Sequence, residues 1–187
     1  VYLQTLNDYS RLSIVEGVNS IFFPGGTRSR SGEVEEKAKL GLLSSLIVAQ
    51  RDLLQNGSTK KIVVYPMVLS YESVLEARSL MLQHLKSIGQ EKYTAREKMS
   101  SIRQIFKFTN RILNNGTHIY MTIGDGIDVF GNKVNEKGES IDIHGKKVDL
   151  SNYYIADNVF SINSQRESIY SKELAEIICN QYVKYNY

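Results

Sequence analysis

The residues best suited to chemistry lie together near the start of the chain, in Pro24-Gly25-Gly26-Thr27-Arg28-Ser29-Arg30-Ser31-Gly32. Three glycines allow backbone N–H groups to converge, three hydroxyls offer donors, and no carboxylate intervenes until Glu33. An arginine fork can then grip a phosphate through two parallel hydrogen bonds. Arg28 is the candidate ligand and Arg30 its support. The same composition also describes a surface turn with solvated arginines.

Other chemistries fit less well. A nucleotide P-loop needs lysine and then Ser or Thr after its second glycine, and here Gly32 precedes Glu33. Gly124, Gly126 and Gly131 have the wrong spacing for a dinucleotide fingerprint. His144 and Asp149 are five positions apart but sit in a glycine-rich stretch, where His144 reads as a turn residue. His84 lies among Leu82, Leu85 and Ile88, and His118 starts a strand, so both read as structural. No histidine pairs with Cys179 at zinc-ligand spacing. Asp125, Asp128, Asp142 and Asp149 lack calcium-loop spacing and read as turn and cap residues. No metal site is expected.

The elements that position the loop follow from periodicity. Apolar residues at three- and four-residue spacing predict helices over residues 6–18, 40–54, 72–88 and 94–113. Residues 20–23 read as a short strand leading into the loop, and residues 61–70 as a strand buried on both sides, with a bulge or edge at Pro66. Residues 118–123 form another strand, and residues 124–152 one or two hairpins, with no internal repeat. A closing helix over residues 171–183 would take Ser171 as its N-cap, with Glu173 in its first turn. The alternation predicts an α/β fold with a mixed, largely parallel central sheet flanked by helices. A glycine-rich C-terminal hairpin region and the closing helix complete it.

Composition sets the outer bounds. With 187 residues, 42% hydrophobic and 23% charged, the chain suits a globular domain rather than a disordered or disulfide-built one. Its net charge of +3 is too small to argue for nucleic acid, and its tyrosines are dispersed, so no nucleic-acid partner is expected. Its apolar runs fall far short of the roughly 20 residues that span a bilayer. The opening Val1-Tyr2-Leu3-Gln4 resembles neither a signal peptide nor a natural start, which suggests a piece of a longer protein.

The blocks resemble one family. Phe23-Pro24-Gly25-Gly26-Thr27-Arg28-Ser29-Arg30-Ser31-Gly32 is similar to the third conserved block, F-P-E-G-T-R-S-R-S-G, of the glycerolipid acyltransferases. Ile62-Val63-Val64-Tyr65-Pro66-Met67-Val68-Leu69-Ser70-Tyr71-Glu72 resembles their fourth block, in the variant of the glycerol-3-phosphate branch. Gly116-Thr117-His118-Ile119-Tyr120-Met121-Thr122-Ile123-Gly124-Asp125-Gly126-Ile127 is similar to a later strand and its Gly-x-Pro-Ile turn, with Gly126 in place of proline. The likeness spans residues 7–129, so residues 1–129 would be the C-terminal part of an acyltransferase domain. Residues 130–187 would be a hairpin extension and helix packed on it, similar to the tails of some bacterial members.

The resemblance implies transfer of an acyl group from acyl-CoA or acyl-carrier protein to glycerol-3-phosphate or lysophosphatidate. No metal or cofactor is implied, and the work is done at the cytoplasmic face of a membrane by a peripheral protein. Gly25, Gly26, Thr27, Arg28, Ser29 and Arg30 would hold the acceptor phosphate, and Pro66 would shape the substrate wall. Residues 94–113 read as a basic amphipathic helix, either core-packing or membrane-contacting. Two departures stand out. Gly25 replaces a glutamate that helps hold the acceptor, and no histidine precedes Phe23, so the family's His-x4-Asp base is missing and no catalytic residue is assigned. A non-catalytic module binding phospholipid headgroups is the alternative.

Overall fold

A computed structural model describes residues 1–25, 34, 36–72, 77–89, 106, 109–110, 118–156 and 159–186. Its first two helices are α1 (Tyr2–Val15) and α2 (Leu40–Gln55). In α2 the predicted apolar stripe is the buried one, with Leu43, Leu46, Ile47, Ala49 and Leu53 facing inward. The helix stops at Asn56, and Gly57 follows with φ of 71°.

Strands β1 (Val63–Val64) and β2 (Met67–Tyr71) occupy the predicted run and divide at Pro66. They pair with β4 (Ile127–Asp128) and β3 (Ile119–Ile123). Val64 lies opposite Ile127 and Met67 opposite Ile123, so two residues on one side face three on the other. That mismatch is a bulge on the Gly124–Gly126 side, opposite the proline. Pro66 has no N–H for the ladder, while its carbonyl still accepts from the Gly124 N–H at 2.8 Å. Gly126 fits because a Cβ there would come within 2.9 Å of the Tyr65 ring.

Every pairing among the described residues is antiparallel, which corrects the expectation of a largely parallel sheet. One sheet runs in the order β1-β4-β5-β6, with β5 at Lys133–Val134 and β6 at Ser140–Ile141. β2 and β3 form a two-stranded ribbon, and β7 (Ile155–Ala156) and β8 (Val159–Phe160) a small hairpin. The run at residues 61–70 is half-buried rather than enclosed on both sides, with Tyr65 and Tyr71 exposed. Residues 20–23 are not a strand but a segment without a strand partner among the described residues. Phe22 packs against the core while Ile21 and Phe23 face solvent.

The glycine-rich stretch contains a recurrence that the reading without repeats missed. Asp128, Asn135 and Asp142, seven residues apart, each accept two backbone N–H bonds on one side-chain oxygen, from the residues two and four further on, at 2.8–3.0 Å. In each turn the glycine at the fourth position, Gly131, Gly138 or Gly145, has positive φ. The first two turns close the expected hairpins, β4–β5 and β5–β6, and the third brings Lys147 back to an antiparallel bridge with Ile141. Asp149, seven further on, closes the series by capping a 3-10 turn at Leu150–Tyr153. Asp128, Asp142 and Asp149 are therefore turn and cap residues, as their spacing indicated.

Helix α3 (Ala77–Ser87) follows the ribbon's first strand, and the predicted helix over residues 94–113 lies mostly outside the described residues. The closing helix, α4 (Ser164–Tyr185), begins seven residues before the expected cap. Its N-cap is Asn163, whose side chain accepts from the Arg166 N–H, and Glu167 occupies the first turn. Ser171 instead lies buried in mid-helix and donates to the Glu167 carbonyl at 2.8 Å. The core joins α2 to α4 through Leu43, Ile47, Leu174 and Ile178, with Ile127, Val129 and Phe130 from the sheet. Phe130 stacks on Tyr153 at 3.9 Å, and Tyr154 donates to the mid-helix carbonyl of Ile47 at 2.7 Å.

Candidate functional site

The loop singled out in the sequence leaves the core at Phe22 and turns at Pro24 and Gly25, both half-buried. It returns at Lys39, the residue preceding α2, whose backbone N–H donates to the Pro24 carbonyl at 2.7 Å. Pro24 and Lys39 are therefore tied at one point. That point is the positive end of a 16-residue helix, and Lys39 supplies no side-chain cap for its free N–H groups. Such an end suits a negatively charged group. Gly26, Thr27, Arg28, Ser29 and Arg30 lie outside the described residues.

Pro66, the other candidate, is buried at the bulge between β1 and β2. It does not share the loop's elements. The two regions meet at the core, where Phe22 from the loop entry and Ile62 and Val64 from the strand pack against one cluster. Gln50 of α2 fixes that arrangement, accepting from the Ile62 N–H at 2.8 Å and donating to the Lys60 carbonyl at 3.2 Å.

Two further polar groupings escaped the sequence reading. Arg11, Arg51, Asp52 and Glu167 join α1, α2 and α4. Arg11 bonds Asp52, while Arg51 bonds Glu167 and lies 3.2 Å from Asp52. Beside them is a cleft of about 680 Å³ lined by Asn7, Asp8, Ser44 and Ser45. Its guanidinium groups are already paired with carboxylates, so an anion would have to displace an internal ion pair to bind there. Spacing could not have revealed this network, because its members come from three separate helices.

The second grouping is His118, whose Nδ1 lies 2.6 Å from Glu72 Oε2. Both side chains are more than half exposed, at 66% and 56%, so the pair closes the end of the β2–β3 ribbon in water rather than in a protected cavity. His144 sits exposed in the third repeated turn, its backbone N–H bonded to Asp142, while the Asp149 carboxylate faces Ser151. The His144–Asp149 spacing is therefore a coincidence of the repeat. Cys179 is buried in α4. The described residues contain no group of three His, Cys, Asp or Glu side chains placed to hold a metal.

Titration shifts mark structure more than chemistry. Burial holds the Tyr154 hydroxyl well above the ordinary tyrosine range. Burial also lowers Lys61, whose ammonium donates to the Gly138 carbonyl at 3.0 Å. The Ser151 N–H holds Asp149 below the usual carboxylate range.

Two curated proteins share sequence with the chain. The glycerol-3-phosphate acyltransferase of Pseudoalteromonas atlantica strain T6c is 26% identical over 122 residues, 65% of this chain and 14% of the relative. That of Alteromonas mediterranea is 28% identical over 127 residues, 68% of this chain and 14% of the relative. The chain thus spans a small part of the length of the relatives it matches. No family model matches it, and no solved structure does. No described helix is long and apolar enough to cross a membrane.

Proposed function

With the glycerolipid acyltransferase family as the assignment its relatives and sequence blocks support, we propose that this chain is the acceptor-binding part of such an enzyme. The acceptor is glycerol-3-phosphate or lysophosphatidate. The donor is acyl-CoA or acyl-carrier protein, at the cytoplasmic face of a membrane. The observation that carries the reading is the block from Phe23 to Gly32, in a chain whose relatives are named for acylating glycerol-3-phosphate.

In this reading Arg28 fixes the acceptor phosphate, assisted by Gly26, Thr27, Ser29 and Arg30 and by the uncapped end of α2. Gly25 brings backbone close where the family carries a carboxylate. Holding the phosphate orients the free hydroxyl toward a general base, which takes its proton as the oxygen attacks the thioester carbonyl and the thiolate leaves. That base belongs to a His-x4-Asp block, and no histidine lies upstream of Phe23 in this sequence. The 187-residue chain therefore binds the acceptor without acylating it. Pro66 and its bulge shape the neighbouring wall.

Gly25, where the family's block carries a glutamate that helps hold the acceptor, favours a second reading, a headgroup-binding module without acyl transfer. Binding preference separates the two. An acceptor site should prefer lysophosphatidate to phosphatidate, because a second acyl chain occupies the position of the reactive hydroxyl. A headgroup module should bind both alike. The acceptor reading predicts at least about a tenfold preference for lysophosphatidate in calorimetric titration, equivalent to roughly 1.4 kcal/mol. Equal affinities would establish the second reading. Failure to bind either lipid or glycerol-3-phosphate would overturn both.

A further inference from the structure

Asn56 and Gly57 follow the last residue of α2, and both are exposed. Among the described residues, Asn56 is the only asparagine followed by glycine. That pair is the one most prone to cyclise, because glycine has no side chain to shield its backbone nitrogen. A Cβ on Gly57 would meet nothing within 4 Å, so water and base reach the turn. The Asn56 side-chain amide has no hydrogen bond among the described residues. Asn135 and Asn163 differ in both respects. Their side chains accept backbone N–H groups at 2.9–3.0 Å, and they precede Glu136 and Ser164.

We propose that Asn56 is a site of spontaneous deamidation, gated by opening of the last turn of α2. The Gly57 nitrogen, deprotonated by solvent base, attacks the Asn56 Cγ. The new C–N bond closes a succinimide, and Nδ2 takes a proton from solvent and leaves as ammonia. Water then adds to one of the two ring carbonyls. Cleavage at Cγ gives aspartate, cleavage at the main-chain carbonyl gives isoaspartate, and the glycine nitrogen regains its proton in either case. Ring closure requires the Gly57 nitrogen to swing beside the Asn56 Cβ, whereas ψ of 9° sets it beside the Asn56 nitrogen. Two bonds hold it there, from the Gly57 N–H to the Leu54 carbonyl at 3.0 Å and from the Ser58 N–H to the Leu53 carbonyl at 2.9 Å. Attack therefore waits for these bonds to open, which exposed helix ends do at low cost. Both products add a negative charge where the helix carbonyls already concentrate one, and isoaspartate also lengthens the main chain at that point. The inference is independent of the acceptor reading.

Peptide mapping of the 187-residue chain, incubated at neutral pH with and without denaturing urea, tests it. Isoaspartate and aspartate should accumulate at position 56 in the folded chain, about tenfold more slowly than in the unfolded one. Asn56→Gln should abolish the conversion at that position and leave the urea midpoint unchanged, because the side chain is exposed and glutamine cyclises far more slowly. The Asn115-Gly116 pair falls in a different tryptic peptide and is read separately. An Asn56 that stays intact in either state overturns the proposal. Equal rates with and without urea overturn it as well.

Discussion

Asp128 shows how one side chain can fix a fold. It is fully buried, and its carboxylate accepts from the Phe130 and Asn132 N–H groups and from the Asn132 amide. Asp128→Ala strands one buried and one half-buried backbone donor, and a loss of about 2–4 kcal/mol is expected in urea unfolding. Asp128→Asn keeps the accepting oxygen toward the backbone and should lose less. Equal losses would mean that charge, not the turn geometry, matters.

Tyr154 carries a pH signature. Its hydroxyl is buried and bonded to the Ile47 carbonyl, so the folded state raises its pKa above the ordinary 10.0. A raised pKa means that the neutral phenol's stabilisation is complete below pH 10 and is lost as pH climbs beyond it. Tyr154→Phe should cost about 1 kcal/mol near neutrality and flatten that alkaline decline. An unchanged decline in the variant would assign it to other groups. The turn aspartates were legible as residues because their type and neighbouring glycines suffice. The Arg51 network was not, since nothing local joins Arg11 to Glu167.

At the scale of elements, the repeated turns allow a controlled comparison. Gly131 and Gly138 have similar backbone, with φ of 85° and 77°. A Cβ on Gly138 meets nothing within 4 Å, whereas one on Gly131 would lie 2.1 Å from Ile177 Cδ1 of α4. Gly138→Ala should therefore cost only the backbone strain, about 1 kcal/mol, and Gly131→Ala clearly more, as the packing of α4 gives way. Equal melting temperatures for the two variants would contradict the tight seating of α4 on the sheet.

Helix α2 was legible almost to the residue because its apolar stripe and its Asn56-Gly57 end agree. The start of α4 was not. Residues 164–170 are mostly polar and give no stripe, so the true cap, Asn163, was passed over for Ser171. Asn163→Ala should cost about 1 kcal/mol and Ser171→Ala less, and thermal melts of the two variants would show the order. The seven-residue recurrence escaped notice because only the first and fourth positions are constrained, and Asn135 stands in for aspartate.

For the whole molecule, the alternation of strands and helices suggested parallel pairing, yet 47 residues separate Tyr71 from Ile119 and the two strands still run antiparallel. Alternation fixes the order of elements but not their direction. The segment at residues 20–23 makes the same point. It has strand composition, but a strand exists only where a neighbour completes its ladder. The entry of the glycine-arginine loop, by contrast, meets a helix start that the reading did not connect with it, through the bond from the Lys39 N–H to the Pro24 carbonyl.

The central claim is that this loop binds the phosphate of a glycerol ester through Arg28. Calorimetric titration of the 187-residue chain with glycerol-3-phosphate, and with glycerol as control, tests it most directly. The account predicts binding of the phosphate ester alone, and its weakening by about 2–4 kcal/mol in Arg28→Gln. Retained affinity in Arg28→Gln, or equal binding of glycerol, would contradict it.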